Sequence, residues 1–182
     1  MSNLIDPFQN KNSKPSSESP LVTTPAARGA LAIALAAESL VAVDTESDSL
    51  FSYFEKVCLI QFSITDIDYL VDPLAINDLS PLSNLFSNPT IEKTFHAAEY
   101  DLLCLKRDFD FSVINMFDTM QAARILGYPA VGLNNLLNEK FNVNLDKRFQ
   151  KADWAKRPLP PDQLNYARMD THYLLDLRDL LD

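Results

Sequence analysis

Two hydrophobic rhythms run along this chain, and the points where one gives way to the other outline its elements. Residues 40–44 (Leu-Val-Ala-Val-Asp) form a short, partly β-branched apolar run of the kind that builds a central strand. Residues 56–65 and 68–72 read as two further strands, with only Asp66-Ile67 between them, so they are predicted to fold back as an antiparallel hairpin. Residues 91–96 and 113–117 complete a set of about five strands. Apolar positions at helical spacing cover 79–86, 99–109, 119–126, 133–141 and 161 to the end. An Ala- and Leu-rich helix is also predicted to about residue 39, opened by Thr24 as N-cap with Pro25 at the first helical position. Strands alternating with helices, plus one early hairpin, predict an α/β fold with a mixed sheet flanked by helices.

Residues 1–23 are rich in Ser, Pro, Asn and Lys and have no apolar period. Such a composition does not offset its ordering entropy, so this stretch is read as a disordered leader and 24–182 as one domain. A body of that size buries roughly two-thirds of its unfolded surface and needs no disulfides. Cys58 and Cys104 both lie in apolar runs and lack the paired spacing of a zinc site, so they are expected to be buried free thiols. No run of apolar residues reaches the roughly 18 that a membrane-spanning helix needs. The run 30–37 lies too far from Met1, and lacks the basic leader, to be a signal-peptide core. Cytoplasmic residence is the default expectation.

The net charge of −9 at first argues against a polyanionic partner. Its distribution changes that picture. Between 147 and 157 the chain carries Lys147, Arg148, Lys151, Lys156 and Arg157 against Asp153 alone, a local +4. An acidic protein with one basic strip can still hold a nucleic acid there.

Four acids are candidates for chemistry. Asp44 and Glu46 end the first strand at spacing i, i+2, so they leave the same face of the chain. Asp101 opens a helix just after the strand that ends in His96, and Tyr166 and Asp170 are four apart on one face of the last helix. Taken singly, each is an ordinary cap, turn former or solvated charge. In this order within one domain they suggest a convergent cluster, which repels itself unless cations neutralise it. Two divalent ions would match four carboxylates, and oxygen-only ligands favour Mg²⁺ or Mn²⁺. Such a pair activates a water and stabilises the leaving oxygen of an in-line phosphodiester displacement. A tyrosine of pKa about 10 is a poor base at neutral pH, so Tyr166 is expected to orient that water.

With these residues in place the chain resembles the tyrosine-bearing branch of the DEDD exonuclease superfamily, and within it ribonuclease D. Val-Asp44-Thr-Glu46 resembles the first exonuclease motif, and Cys58-Leu-Ile-Gln61 the strand after it. Phe95-His96-Ala-Ala-Glu-Tyr-Asp101 resembles the second motif and Tyr166-Ala-Arg-Met-Asp170 the third. Phe117-Asp118-Thr119 and Gln150-Lys-Ala-Asp153-Trp154-Ala-Lys-Arg157-Pro158-Leu159 look like ribonuclease D rather than its DNA-directed relatives. The resemblance covers residues 28 to 182. It implies a ribonuclease H-like fold, two metal ions, and release of nucleoside 5′-monophosphates from the 3′ end of a single strand, RNA preferred. Asp44, Glu46, Asp101 and Asp170 would be metal ligands, with Tyr166 holding the water. Transfer-RNA precursors are implied as substrates by the resemblance alone. Ser47 departs from the pattern, standing where an aromatic residue often follows the acidic pair. The sequence also ends shortly after the third motif, where ribonuclease D continues into helical RNA-binding domains.

Several other residues have two readings each. His96 and Arg157 are candidate substrate contacts, against a satisfied structural histidine and a structural ion pair. Asp118 reads as a helix N-cap, Trp154 as a packing residue, and Gln61 as a buried hydrogen-bonding residue near the metals. Phe51, Tyr53 and Phe54 could stack on bases or pack in the core. Two alternatives to an RNA exonuclease stand beside it: a DNA 3′→5′ exonuclease with the same carboxylate chemistry, and a catalytically silent binding domain. Retention of all four acids and the tyrosine argues against the latter.

Overall fold

Thr24 caps the first helix as its sequence context predicts. Its Oγ1 accepts from the Ala27 amide at 3.2 Å, and Pro25 opens α1 (Pro25–Ala36). In this computed structural model residues 19–182 are described, so the leader lies outside the described residues up to residue 18.

Six strands make one mixed sheet: β1 (Leu21–Val22), β2 (Leu40–Ser47), β3 (Val57–Ser63), β4 (Asp68–Val71), β5 (Glu92–Phe95) and β6 (Met116–Asp118). Their order is β1-β4-β3-β2-β5-β6. The predicted hairpin is β3–β4, antiparallel through Ile60↔Val71 and Gln61↔Leu70, and β2 runs antiparallel to β3 but parallel to β5. One strand more than the expected number is present. Leu21 and Val22, assigned to the leader, pair parallel with β4, and burial of Val22 beside the sheet explains why so short a segment is ordered.

Strand alternation sends Val41, Val43, Ile60 and Phe62 to one face. There they pack with Leu31 and Leu35 of α1, Phe86, and Leu105 of α3 (Glu99–Phe109). On the other face Ala42 packs beneath Leu174 and Leu177, and Leu59 and Leu70 beneath Trp154 and Ala167. Asp44 and Glu46 share the parity of Ala42, so they leave β2 on this second face. Helix α2 (Ser83–Ser87) is preceded by a 3₁₀ turn, Ser80–Leu82, where one continuous helix was expected. Helices α4 (Thr119–Ile125) and α5 (Leu133–Phe141) follow β6.

The last helix, expected to be continuous, breaks at Tyr173 (φ −101°, ψ 0°) into α6 (Pro161–His172) and α7 (Leu174–Leu181). The break lets α6 cross β3 and β4 while α7 turns toward β2, β5 and α4. A buried polar brace holds α6 in place. Ser63 Oγ lies 2.7 Å from both Asp68 Oδ1 and Thr171 Oγ1, and His172 Nδ1 lies 2.8 Å from Asp68 Oδ2. That brace sets the height at which Tyr166 and Asp170 stand over β2.

Candidate active site

The centre of the sheet supplies the first two acids. Asp44 and Glu46 stand at the end of β2, and α6 crosses above them with Asp170 one turn beyond Tyr166. Carboxylate oxygens of Asp44, Glu46 and Asp170 all lie within 4.8 Å of one another. Asp101 comes from the opposite layer, in the first turn of α3. Its Oδ1 accepts from the Thr45 amide at 3.1 Å and the Thr45 hydroxyl at 2.5 Å, which ties it to the backbone between Asp44 and Glu46. It stands outside the three-acid cluster, but its charge acts on both Asp44 and Glu46.

Packing these acids together raises their proton affinity. Burial first, then the other carboxylates, pushes Asp44 and Glu46 well above the ordinary carboxylate range. Burial raises Asp170 to about 7 against the hydrogen bond from Tyr166, with Asp101 adding to the rise. Asp101 goes up to about 6, again through burial, held back by its bonds to Thr45. No side-chain cation is among the leading influences on any of the four. Crowded and oxygen-only, this donor set fits hard divalent cations. The Tyr166 hydroxyl is driven upward by burial and by Asp170, Glu46 and Asp44, so it keeps its proton at neutral pH.

A cleft of about 400 Å³ opens over the cluster, and His96, Lys147 and Gln150 line it with the acids. A second hollow of about 290 Å³ shares Tyr166 and Asp170 with it and reaches Arg148. Two members of the basic strip therefore stand at the mouth of the acidic site. Asn134 and Asn135, at the start of α5, also line the cleft and were missed in the sequence. Asn134 is held by the Leu145 amide at 2.7 Å. Nothing in the residues around Gly132 signals that this turn faces the acids.

The remaining candidates separate cleanly. Of its two readings, Arg157 is engaged in the structural ion pair. Its Nε and Nη2 hold Asp72 at 2.7 and 2.8 Å, Nη2 also reaches the Cys58 carbonyl, and Nη1 bonds the Trp154 and Lys156 carbonyls. All five guanidinium donors are engaged, so none is left for a phosphate. His96 does line the cleft, with Nδ1 2.9 Å from Thr119 Oγ1. Asp118 caps α4 through the Met120 and Gln121 amides and also accepts from Ala97 and Ala98. Trp154 is buried beside Tyr166. Phe51, Tyr53 and Phe54 are exposed, Tyr53 at 95%, so they are not core residues. Gln61 pairs across the strands with Asp44 and is fully buried, with no partner for its side-chain amide among the described residues. Cys58 and Cys104 are buried free thiols.

Residues 21–182 match the protein family described as a 3′-5′ exonuclease. The chain belongs to that family. Over 152 residues this exonuclease domain is 45% identical to the Arabidopsis thaliana protein RRP6-like 3, covering 83% of this chain and 17% of that one. Its fold is similar to the catalytic core of RRP6 from Trypanosoma brucei, with TM-score 0.85 and 37% identity over 90% of this chain and 46% of that one. Escherichia coli RNase D, described as an exoribonuclease involved in structured RNA processing, is also similar. Its TM-score is 0.85 at 33% identity, over 90% of this chain and 44% of that one. The chain thus spans less than half the length of each of these relatives. Such similarities put the exonuclease domain with the ribonuclease D and RRP6 type, as its motifs predict, and carry the ribonuclease H-like fold. Membership also implies a requirement for divalent metal ions.

Proposed function

We propose that this chain is the catalytic domain of a 3′→5′ exoribonuclease that uses two metal ions to remove nucleoside 5′-monophosphates one at a time. The observation that carries this reading is the convergence of Asp44, Glu46 and Asp170, with Asp101 pinned beside them and Tyr166 over them. Asp44, Glu46, Asp101 and Asp170 would hold the ions, which fit the donor set as Mg²⁺ or Mn²⁺. When bound, such ions supply an acidified water and a positive charge for the leaving oxygen.

The protein's own groups do the rest. Tyr166, protonated and bonded to Asp170, orients the attacking water rather than removing its proton. Lys147 at the cleft wall offers a charge to the strand's phosphates. Attack at the terminal phosphorus breaks its bond to the 3′ oxygen of the preceding nucleotide. The last residue leaves as a 5′-monophosphate, and the shortened strand keeps a 3′ hydroxyl. The resemblance to ribonuclease D, together with the Gln150-to-Leu159 tract, supports RNA over DNA. Transfer-RNA 3′ trimming is the substrate the sequence resemblance suggests.

Incubation of 5′-labelled single-stranded RNA and DNA with Mg²⁺, and then with EDTA, tests this reading. A ladder shortening from the 3′ end of RNA, abolished by EDTA, is expected. Faster loss of DNA would transfer the reading to the DNA exonuclease, and no loss of either strand would leave a silent binding domain.

A further inference from the structure

The hydrogen-bond polarity of His96 can be read from its partners. Thr119 Oγ1 lies 3.0 Å from the Phe95 carbonyl oxygen and 2.9 Å from His96 Nδ1. A carbonyl only accepts, and a hydroxyl has one proton, so that proton goes to Phe95. The hydroxyl oxygen must then accept from the ring, and Nδ1 carries the hydrogen. Thr119 is fully buried, so water offers no alternative partner. Burial lowers the His96 pKa to about 4 despite the pull of Asp118, and the ring is neutral at physiological pH. Its lone pair therefore sits on Nε2.

Nε2 has no hydrogen-bond partner among the described residues, and His96 lines the cleft together with Asp44, Glu46, Tyr166 and Asp170. The ring is also held firmly. Ala97 takes the left-handed conformation (φ 62°), and the Asp118 carboxylate clamps the Ala97 and Ala98 amides at 3.1 and 3.0 Å while capping α4.

A rigid acceptor in a cleft floored by carboxylates calls for a neutral donor. It cannot bond a phosphate oxygen, which is itself an acceptor. The donors of a nucleic-acid end are base N–H groups and sugar hydroxyls. Base donors change with every nucleotide removed, whereas the terminal sugar adjoins the scissile phosphate at every step. We propose that His96 Nε2 accepts a hydrogen bond from a hydroxyl of the 3′-terminal sugar. This rests on the exonuclease reading above.

The test has a spectroscopic and a kinetic arm. The chain has only two histidines, so His172→Gln assigns the imidazole nitrogens by long-range proton–nitrogen NMR. The Nδ1–H tautomer is expected for His96, and an Nε2–H tautomer overturns the proposal. Adenosine 5′-monophosphate should shift the Nε2 resonance, and its 2′,3′-dideoxy analogue should not. For kinetics, RNA oligonucleotides ending in ribose, 2′-deoxyribose or 3′-deoxyribose are compared in the wild-type protein. Removing the hydroxyl that His96 contacts should lower kcat/KM on the order of 10-fold, and the arm that falls identifies it. In His96→Phe the ratio between ribose and deoxy ends should collapse toward one. A purely structural role would slow all three substrates together and preserve the ratio, as would a proposal that is wrong. Should His96→Phe fail to fold, Thr119→Val frees Nδ1 and is expected to erode the same ratio. If no strand is hydrolysed, the exonuclease reading fails, while the tautomer and the monophosphate titration still decide the role of His96.

Discussion

At the residue scale, Tyr166 separates a chemical role from a packing one. Its ring lies against Phe149 and Trp154, and its hydroxyl meets Asp170. Tyr166→Phe keeps the ring contacts and removes the hydrogen bond. It is expected to lower kcat on the order of 100-fold with RNA affinity near wild type, measured by single-turnover kinetics. A variant as fast as wild type would leave only packing for this side chain. Asp170→Asn carries a two-part expectation. Activity should all but vanish, because a proposed metal ligand is lost, yet the metal-free protein should melt higher than wild type. Burial and the Asp101 charge oppose ionisation of Asp170 in the folded state, and the amide has no charge to oppose. A lower melting temperature for the metal-free variant would show that Asp170 is needed for the fold itself.

Elements bring these residues together through a few long connections. The segment between α5 and α6 is anchored by Arg157, which joins the Trp154 carbonyl to Asp72 at the end of the hairpin and to the Cys58 carbonyl on β3. Asp72 is almost wholly buried, so removing its partner leaves a carboxylate with only backbone amides and no counter-charge. Arg157→Met is expected to cost roughly 2–4 kcal/mol, less than a fully buried pair because the arginine is partly exposed. Urea unfolding would measure it. KM for RNA should stay near wild type at temperatures where the variant is folded. A raised KM with unchanged stability would instead return Arg157 to the substrate. The same logic covers the exposed ring of Tyr53 and its edge-on neighbour Phe54: neither packs in the core, so their removal should leave stability within about 0.5 kcal/mol.

The whole molecule answers to pH and to metal through its acidic site. The folded-state values of Asp44, Glu46, Asp101 and Asp170 are all raised, two of them to about 6 and about 7. Carboxylates raised in this way contribute stability that is fully present below their unfolded value of about 4. That stability is lost as pH rises through the folded values. Metal-free protein is therefore expected to melt lower at pH 8 than at pH 5, with the Asp101 and Asp170 contributions lost between about pH 4 and their folded values of about 6 and about 7. Millimolar Mg²⁺ or Mn²⁺ should reverse the fall at pH 8, by about 2.7 kcal/mol at one hundred times Kd. A scanning-calorimetry series with and without Mn²⁺ checks both statements. Melting that is flat in pH and indifferent to Mn²⁺ would mean that the acids do not form a preorganised metal site.

How much of this was written in the chain depends on the range of the interaction concerned. The spacing of Asp44 and Glu46, and of Tyr166 and Asp170, sets which face each shares, because strand and helix periods are local properties of the backbone. The hairpin β3–β4 and the Thr24 cap were legible for the same reason, each being complete within a few residues. The order of the motifs then identified the exonuclease family. Other features depended on partners distant in sequence. Arg157 turned out to be structural because Asp72, 85 residues away, meets its guanidinium. The two-residue strand β1 pairs with the edge that β4 offers, and the helix break at Tyr173 sends α6 over β3 and β4 and α7 toward β5 and α4. His96 received its tautomer from Thr119, 23 residues on, whose own proton was already taken by Phe95. Local spacing therefore determined which residues could act, while long-range contacts decided which of their atoms remained free to do so.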